Sequence, residues 1–300
     1  MPIYLPIAGL PVNLLLLLAL GGGVGFLSGL FGVGGGFLLT PLLILMGVPS
    51  PVAVASAANQ VVGASVSGVL AHWRRGNVDV RMGMVLAIGG LVGSAVGVQL
   101  FSWLRRLGQV DLVINLSYVL FLGFVGGTML MESISALRNS HRAAAAPHKR
   151  HRHRWANLPF KLRFPRSGLY MSALLPLGVG ATGGLLSALM GVGGGFILVP
   201  MMIYLLEMPT SVVVGTSLFQ VIFVTASVTF LQSVQTHTVD VVLMLMLLIG
   251  GVIGAQFGAR FATRLRAEQT RLLLALLVLG VCIRLAILLV ETPDDPFALV

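Results

Sequence analysis

The sequence predicts an all-α polytopic membrane protein made of two inverted-topology repeats, each with roughly four long helices and a short broken helix after a Gly-rich turn. Three observations carry that prediction. The 300 residues are 57% hydrophobic and 9% charged, with mean hydropathy +0.99, whereas soluble domains carry about 25% charged residues. Eight runs approach the length that a helical span requires: residues 12–31, 51–71, 82–104 and 112–131, then 170–190, 211–231, 241–261 and 272–290. A span takes about 20 predominantly apolar residues. The second four follow the first in the same order, so the chain is doubled.

The doubling is legible residue by residue. Residues 32–37 align with 191–196, Pro41 with Pro200, Pro49 with Pro209, Gln60 with Gln220 and Asp79 with Asp240. Gly89, Gly90, Gly93 and Gly97 fall on Gly250, Gly251, Gly254 and Gly258, with two single-residue shifts in register along the way. Each half reads as a long helix ending at a glycine cluster, a short helix (37–47; 196–206), and three more long helices. The first repeat is taken as residues 1–137 and the second as 169–300. Between them, residues 138–168 are polar, basic and interrupted by proline, as a connecting loop should be.

Charge placement sets the expected orientation. The net charge of +10 sits mainly in loops beside spans, where Lys and Arg report topology and not nucleic-acid binding. With the basic connector in the cytoplasm, alternation places Arg74, Arg75 and Arg81 inside, along with Arg264, Arg266 and Arg271. The loop at 232–240 has no Lys or Arg and falls outside, as does the acidic tail; Arg105 and Arg106 are the exception. Equivalent loops then lie on opposite sides, the inverted-repeat arrangement of secondary transporters. Both termini are expected in the periplasm, with the chain multi-pass in the inner membrane. The N-terminus lacks a basic n-region, so the first span is expected to be retained. Cys282 is the sole cysteine and excludes an intramolecular disulfide framework.

Two segments, "FGVGGGFLLTP" (31–41) and "MGVGGGFILVP" (190–200), place glycine where it weakens a helix. The following helix, about a dozen residues and ~18 Å long, cannot cross a hydrocarbon core of about 30 Å. A helix break at depth is therefore predicted. Irregular backbone is tolerated there only when it is buried in protein or lines a cavity. A helix that begins at such a break offers free N–H groups and the positive end of its dipole to an anion. Gly34, Gly35, Gly36, Gly193, Gly194 and Gly195 are the candidate cradle, because glycine accepts positive φ and lets a substrate reach the backbone. Close helix packing is the alternative role for these clusters. It is the favoured role for the four-spaced glycines around Gly93 and Gly254, so Gly93→Ala is expected to be milder than Gly194→Val or Gly35→Val. "GVGGGF" does not fit the dinucleotide fingerprint.

Uncharged polar residues follow each short helix. Ser56, Asn59 or Gln60 on one side, and Thr216, Ser217 and Gln220 on the other, could donate to anion oxygens. Their alternative role is interhelical hydrogen bonding, worth about 0.6 kcal/mol each. Arg284 lies inside the last span and is a candidate on that ground; pairing or snorkelling would also account for it. His141, His148, His151 and His153 of the connector lack ordered ligand spacing, so neither metal nor cofactor is expected, and a basic loop near anionic lipid is favoured. No nucleophile has a neighbouring base, which argues against an enzyme. Asp79, Asp240, Glu132 and Glu207 all fall near span ends. Without an intramembrane acid, anion movement driven by the membrane potential is expected over proton coupling.

The paired "GVGGGF" modules, each followed by proline and then by a helix carrying "ASAANQ" (55–60) or "GTSLFQ" (215–220), resemble the TauE/SafE sulfite exporter family, also called the TSUP permeases. The resemblance covers nearly the whole chain apart from the connector. It implies a bacterial inner-membrane carrier of sulfite, sulfonates, sulfoacetate or related carboxylate anions, with no cofactor. The second module is the closer match, because "GTSL" is the usual form and the first reads "ASAA". The expected partners are a small anionic substrate and the lipid bilayer, and no nucleic acid. A membrane scaffold or receptor subunit without transport activity is the alternative.

Overall fold

The computed structural model describes residues 2–31, 35–138, 159–261 and 267–290. Each half opens with a two-stranded antiparallel hairpin, β1 (Pro2–Leu5) with β2 (Leu10–Asn13), and β3 (Lys161–Phe164) with β4 (Leu169–Ser172). Both turns start with proline and end with glycine at positive φ, 69° at Gly9 and 64° at Gly168. The first half continues with α1 (Leu14–Phe31), α2 (Gly36–Leu45), α3 (Ser50–Arg74), α4 (Val80–Arg106) and α5 (Val110–Arg138). The second repeats the order with α6 (Leu174–Met190), α7 (Gly195–Tyr204), α8 (Thr210–Gln235), α9 (Val241–Phe261) and α10 (Ala267–Val290).

As predicted, the chain is a helical, polytopic membrane protein. Among the described residues six helices, α3, α4, α5, α8, α9 and α10, are long and apolar enough to span. Each half has the expected four long helices and one short helix, α1 with 18 residues and α6 with 17 being the shortest of the long ones, or roughly 26 Å at 1.5 Å per residue. Residues 12–13 and 170–172, counted as helix, pair instead in the hairpins. The β3–β4 hairpin also runs across the expected boundary at 168/169. The expected loop at 232–240 starts later, since α8 runs to Gln235. Proline sets the start of α3 and α8: Pro49 and Pro209 occupy the N-cap in extended conformation, ψ 134° and 130°.

The halves interlock. α1 packs on α9 and α4 packs on α6, so the first helix of each half lies against the fourth of the other. α3 and α8 pack on each other at the centre, and α5 packs on α10. Burial follows this order: 67% of the apolar window of α3 is buried and 61% of that of α8, against 22% for α5 and 28% for α10. The outer pair accordingly turns residues such as Leu120, Phe124 and Leu276 outward.

The four-spaced glycines make the interlock possible. A Cβ on Gly89 would enter the Leu177 carbonyl, one on Gly93 the Ala181 carbonyl, and one on Gly184 the Gly90 carbonyl. The α1–α9 crossing repeats this, with Gly250 against Leu18 and Gly254 against Gly22. Packing is therefore their role, but the contact is backbone to backbone and has no room for a methyl group. The expected mildness of Gly93→Ala does not survive this geometry.

Each interlock is tied at one end by a buried aspartate. Asp79 Oδ1 accepts from Met82 N (3.1 Å) and so caps α4, while Oδ2 accepts from Ser167 N (2.9 Å) and Ser167 Oγ (2.7 Å) in the β3–β4 turn. Asp240 Oδ1 accepts from Val242 N and Leu243 N, both at 3.1 Å, and Oδ2 from Ile7 N (3.0 Å) and Ala8 N (3.4 Å) in the β1–β2 turn. Their own N–H groups donate across the halves, Asp79 to Thr216 Oγ1 (3.0 Å) and Asp240 to Ser56 Oγ (3.2 Å). Carboxylates that accept several N–H bonds form strong, charge-assisted ties. Arg105, the exception to the charge rule, donates to the Thr236 carbonyl beside the Asp240 tie.

Candidate functional site

The described glycines of the two turns are buried, and Gly35, Gly191, Gly193 and Gly194 have left-handed backbone. Gly35 (φ 64°, ψ −27°) is the N-cap of α2 and Gly194 (φ 73°, ψ −18°) that of α7. Gly191 (φ 67°) and Gly193 (φ 75°) complete the second turn. An L-residue pays a steric penalty in this region, and glycine does not. Gly36 and Gly195 are the first helical residues, both buried; Gly34 lies outside the described residues. The turns approach one another. A Cβ on Gly36 would stand 2.9 Å from the Gly191 carbonyl oxygen and 2.5 Å from Val61 Cγ2, and one on Gly193 would stand 2.5 Å from Val61 Cγ1. Val61 of α3 thus touches both turns.

Backbone polarity at this break is unequal. The carbonyl end of α6 is closed by the protein itself: Gly191 N donates to Ser187 O (2.8 Å), Gln232 Nε2 to Ala188 O (3.0 Å), and the fully buried Tyr118 hydroxyl to Met190 O. On the amide side, Ile197 N and Leu198 N bond to Gly194 O at 3.1 and 2.9 Å. The N–H groups of Gly195 and Phe196 have no acceptor among the described residues. In α2 the pattern recurs, with Leu38 N and Leu39 N on Gly35 O at 3.1 and 3.3 Å. A helix leaves its first N–H groups without an intrahelical partner. Pro41 and Pro200 in turn have no N–H to give the carbonyls of Phe37 and Phe196 four residues earlier.

Gln60 and Gln220 are 1% and 0% exposed, and neither amide has a hydrogen-bond partner among the described residues. They are mates in position as well as sequence. A Cβ on Gly251 would lie 2.5 Å from Gln60 Nε2, and one on Gly90 would lie 2.8 Å from Gln220 Nε2. Each amide therefore rests on a glycine of the other half. Gln60 immediately precedes Val61, and Gln220 precedes Val221, which borders Gly193. Leaving such groups unpaired costs about 1–3 kcal/mol each. Asn59 Nδ2 is likewise buried, with no partner among the described residues.

The remaining candidates are placed differently. Ser56 and Thr216 accept from the aspartate N–H groups, and Ser217 Oγ donates to Val214 O within its helix (3.0 Å). Arg284 is exposed on α10, near Ile283 and Ile287. The structure does not bring it to the turns. Tyr118 and Gln232 were not singled out from sequence. A buried amide or phenol in an apolar span was the available signal, but their acceptors lie 72 and 44 residues away. Among the described residues no cluster of three or more His, Cys, Asp or Glu could hold a metal; the four connector histidines lie outside them.

Two short helices thus start in the core at matched positions of a doubled chain. The family described as "Sulfite exporter TauE/SafE" matches residues 17–285. The chain belongs to that family. Among relatives of this TauE/SafE protein, one from Xylella fastidiosa named "Probable membrane transporter protein" is 29% identical over 275 residues, covering 90% of this chain and 94% of its own. YjnA of Bacillus subtilis, named "Probable membrane transporter protein YjnA", is 28% identical over 232 residues, covering 76% and 82%. No solved structure gives a significant match to the TauE/SafE chain.

Proposed function

We propose that this TauE/SafE protein is a secondary transporter that moves small sulfur-containing anions, such as sulfite, sulfonates or sulfoacetate, across the bacterial inner membrane. One observation carries the reading: where the helices break, the carbonyl end of α6 is closed by Gly191, Gln232 and Tyr118, while the Gly195 and Phe196 N–H groups that open α7 have no acceptor among the described residues. In a medium without water an unpaired N–H costs several kcal/mol. An oxyanion satisfies such groups, and each helix start adds roughly half a positive charge. Gly36 and Phe37 open α2 at the matched position of the other half. The amides of Gln60 and Gln220, one residue from the valines at the turns, supply further donors.

The substrate class follows the family description. The two halves are read as inverted in the membrane, which makes the site common to both entrances and suits alternating access. The reciprocal ties of Asp79 and Asp240 support that reading, because each binds the opening hairpin of the opposite half.

Since the anion carries the charge, the membrane potential drives it. About 2.3 kcal/mol per charge per 100 mV favours export from an inside-negative cell roughly fifty-fold. Proteoliposomes loaded with labelled sulfite or a sulfonate and clamped with valinomycin and potassium test this. Flux that follows the imposed potential supports it, whereas a protein that binds no anion and moves none would be a scaffold. Accumulation driven by a pH gradient alone would show a proton path.

A further inference from the structure

The ends of the molecule share one frame, and only one of them carries arginines in the hairpin turn and at the helix start. At the Asp79 end the hairpin turn reads Pro165-Arg166-Ser167-Gly168 and α4 opens Val80-Arg81; at the Asp240 end the turn reads Pro6-Ile7-Ala8-Gly9 and α9 opens Val241-Val242. The residues ending α3 are Trp73, Arg74 and Arg75, while those at the matching end of α8 are Val234, Gln235 and Thr236. Both ends keep the aspartate tie. The tie therefore does not require Arg81 or Arg166, which have no counterpart in the turn or the helix start at the Asp240 end.

What they add is a lined cavity. A space of about 260 Å³ lies between the end of α3, the start of α4 and the β3–β4 turn, bordered by Trp73, Gly76, Arg81, Pro165 and Arg166. Arg166 Nη1 donates to the Gly76 carbonyl (2.7 Å), which holds one guanidinium at the rim, and Arg81 is exposed with no partner among the described residues. Asp79 is the one acid on the lining, and its oxygens already accept three hydrogen bonds from Met82 and Ser167. The free charge facing the cavity is positive. Trp73 is 52% exposed in the last turn of a span that ends at Arg74, so the cavity lies at the membrane–water boundary, where tryptophan settles at headgroup level.

We propose that this cavity binds the phosphodiester of an anionic phospholipid, with Arg81 and Arg166 on the phosphate oxygens and Trp73 against the glycerol and upper acyl region. Guanidinium groups match phosphate geometry through paired N–H donors, and basic pockets between membrane helices are suited to anionic headgroups. The boundary position and the apolar Trp73 wall favour a lipid over a free ion. This assignment is independent of what the glycine turns carry.

The full-length protein, delipidated in detergent, is titrated with phosphatidylglycerol or phosphatidylcholine and the bound lipid is counted by native mass spectrometry. Phosphatidylglycerol is expected to bind at least ten times more tightly than phosphatidylcholine. Arg81→Gln should cut that preference several-fold, and Arg81→Gln/Arg166→Gln should bring it to near parity. Arg81 makes no hydrogen bond among the described residues, so the single variant decides the matter if the double variant does not fold. An unchanged preference in Arg81→Gln overturns the proposal. So does displacement of the lipid by inorganic phosphate at matching concentration, which would mark a site for a free anion.

Discussion

The ring of Phe37 lies flat on that of Phe196, with centroids 4.4 Å apart and planes 9° from parallel. The two are repeat mates, each second in its short helix, so the stack joins the starting turns of the two halves. Phe121 meets Phe196 edge-on at 5.6 Å and 78°, which fixes the pair from the side of α5. Aromatic pairs contribute about 0.5–1.5 kcal/mol beyond the area they bury. Phe196→Ala should therefore lower unfolding stability in detergent by about 3 kcal/mol or more, and Phe196→Leu by clearly less. If alanine and leucine cost the same, the stack is not what joins the turns.

Gly194 stands at φ 73°, and a Cβ there would lie 2.9 Å from the Gly183 carbonyl oxygen. Gly194→Val should abolish anion flux in proteoliposomes, because left-handed backbone costs an L-residue about 1–2 kcal/mol and the side chain fills the approach to the N–H groups. A folded, inserted Gly194→Val protein that transports at the wild-type rate would refute the cradle.

Asp79 and Asp240 should prove to be structural ties. Asp79→Asn replaces a carboxylate accepting from Met82 and Ser167 with a group that has one acceptor and an unwanted donor. Hydrogen bonds to charged groups contribute about 1.5–3 kcal/mol, so a loss of that order is expected in chemical denaturation. Ser167→Ala keeps the backbone bond and should cost about half as much or less. Limited proteolysis should open the β3–β4 turn in Asp79→Asn and leave the β1–β2 turn protected, with the reverse in Asp240→Asn.

Gly93→Ala should be among the most damaging small substitutions in the chain, since its methyl group would enter the Ala181 carbonyl. Prying α4 from α6 is expected to cost 2 kcal/mol or more, the range of overpacked cores being about 1–3 kcal/mol. Gly127→Ala on α5 meets nothing within 4 Å and serves as the control, with stability unchanged or slightly raised. Equal effects at the two positions would show that the seam can yield.

Orientation can be read by thiol labelling in a Cys282→Ser background, as Cys282 is the only cysteine. Gln109→Cys, between α4 and α5, should react with an impermeant maleimide from the periplasmic side, and Arg75→Cys only after the membrane is opened. The opposite pattern would reverse the assigned orientation, and labelling of both from one side would contradict the crossing of α4.

The doubling of the chain, the spans and the breaks were legible because each rests on a local property. A run of apolar side chains reports lipid whatever lies beside it; glycine reports left-handed backbone at Gly35 and Gly194 through its missing Cβ, and Pro49 and Pro209 report helix starts through the geometry of their rings. The hairpins were not legible: strands of four residues are too short for a period to show, and their apolar residues lengthened the apparent spans. The ties of Asp79 and Asp240, the closure of α6 by Tyr118 and Gln232, and the outward position of Arg284 depend on which elements the fold brings alongside. The sequence by itself determined where the backbone breaks. Only the tertiary structure decided which broken end is closed, because a carbonyl of α6 and the side chain that satisfies it meet only when α5 and α8 pack against it.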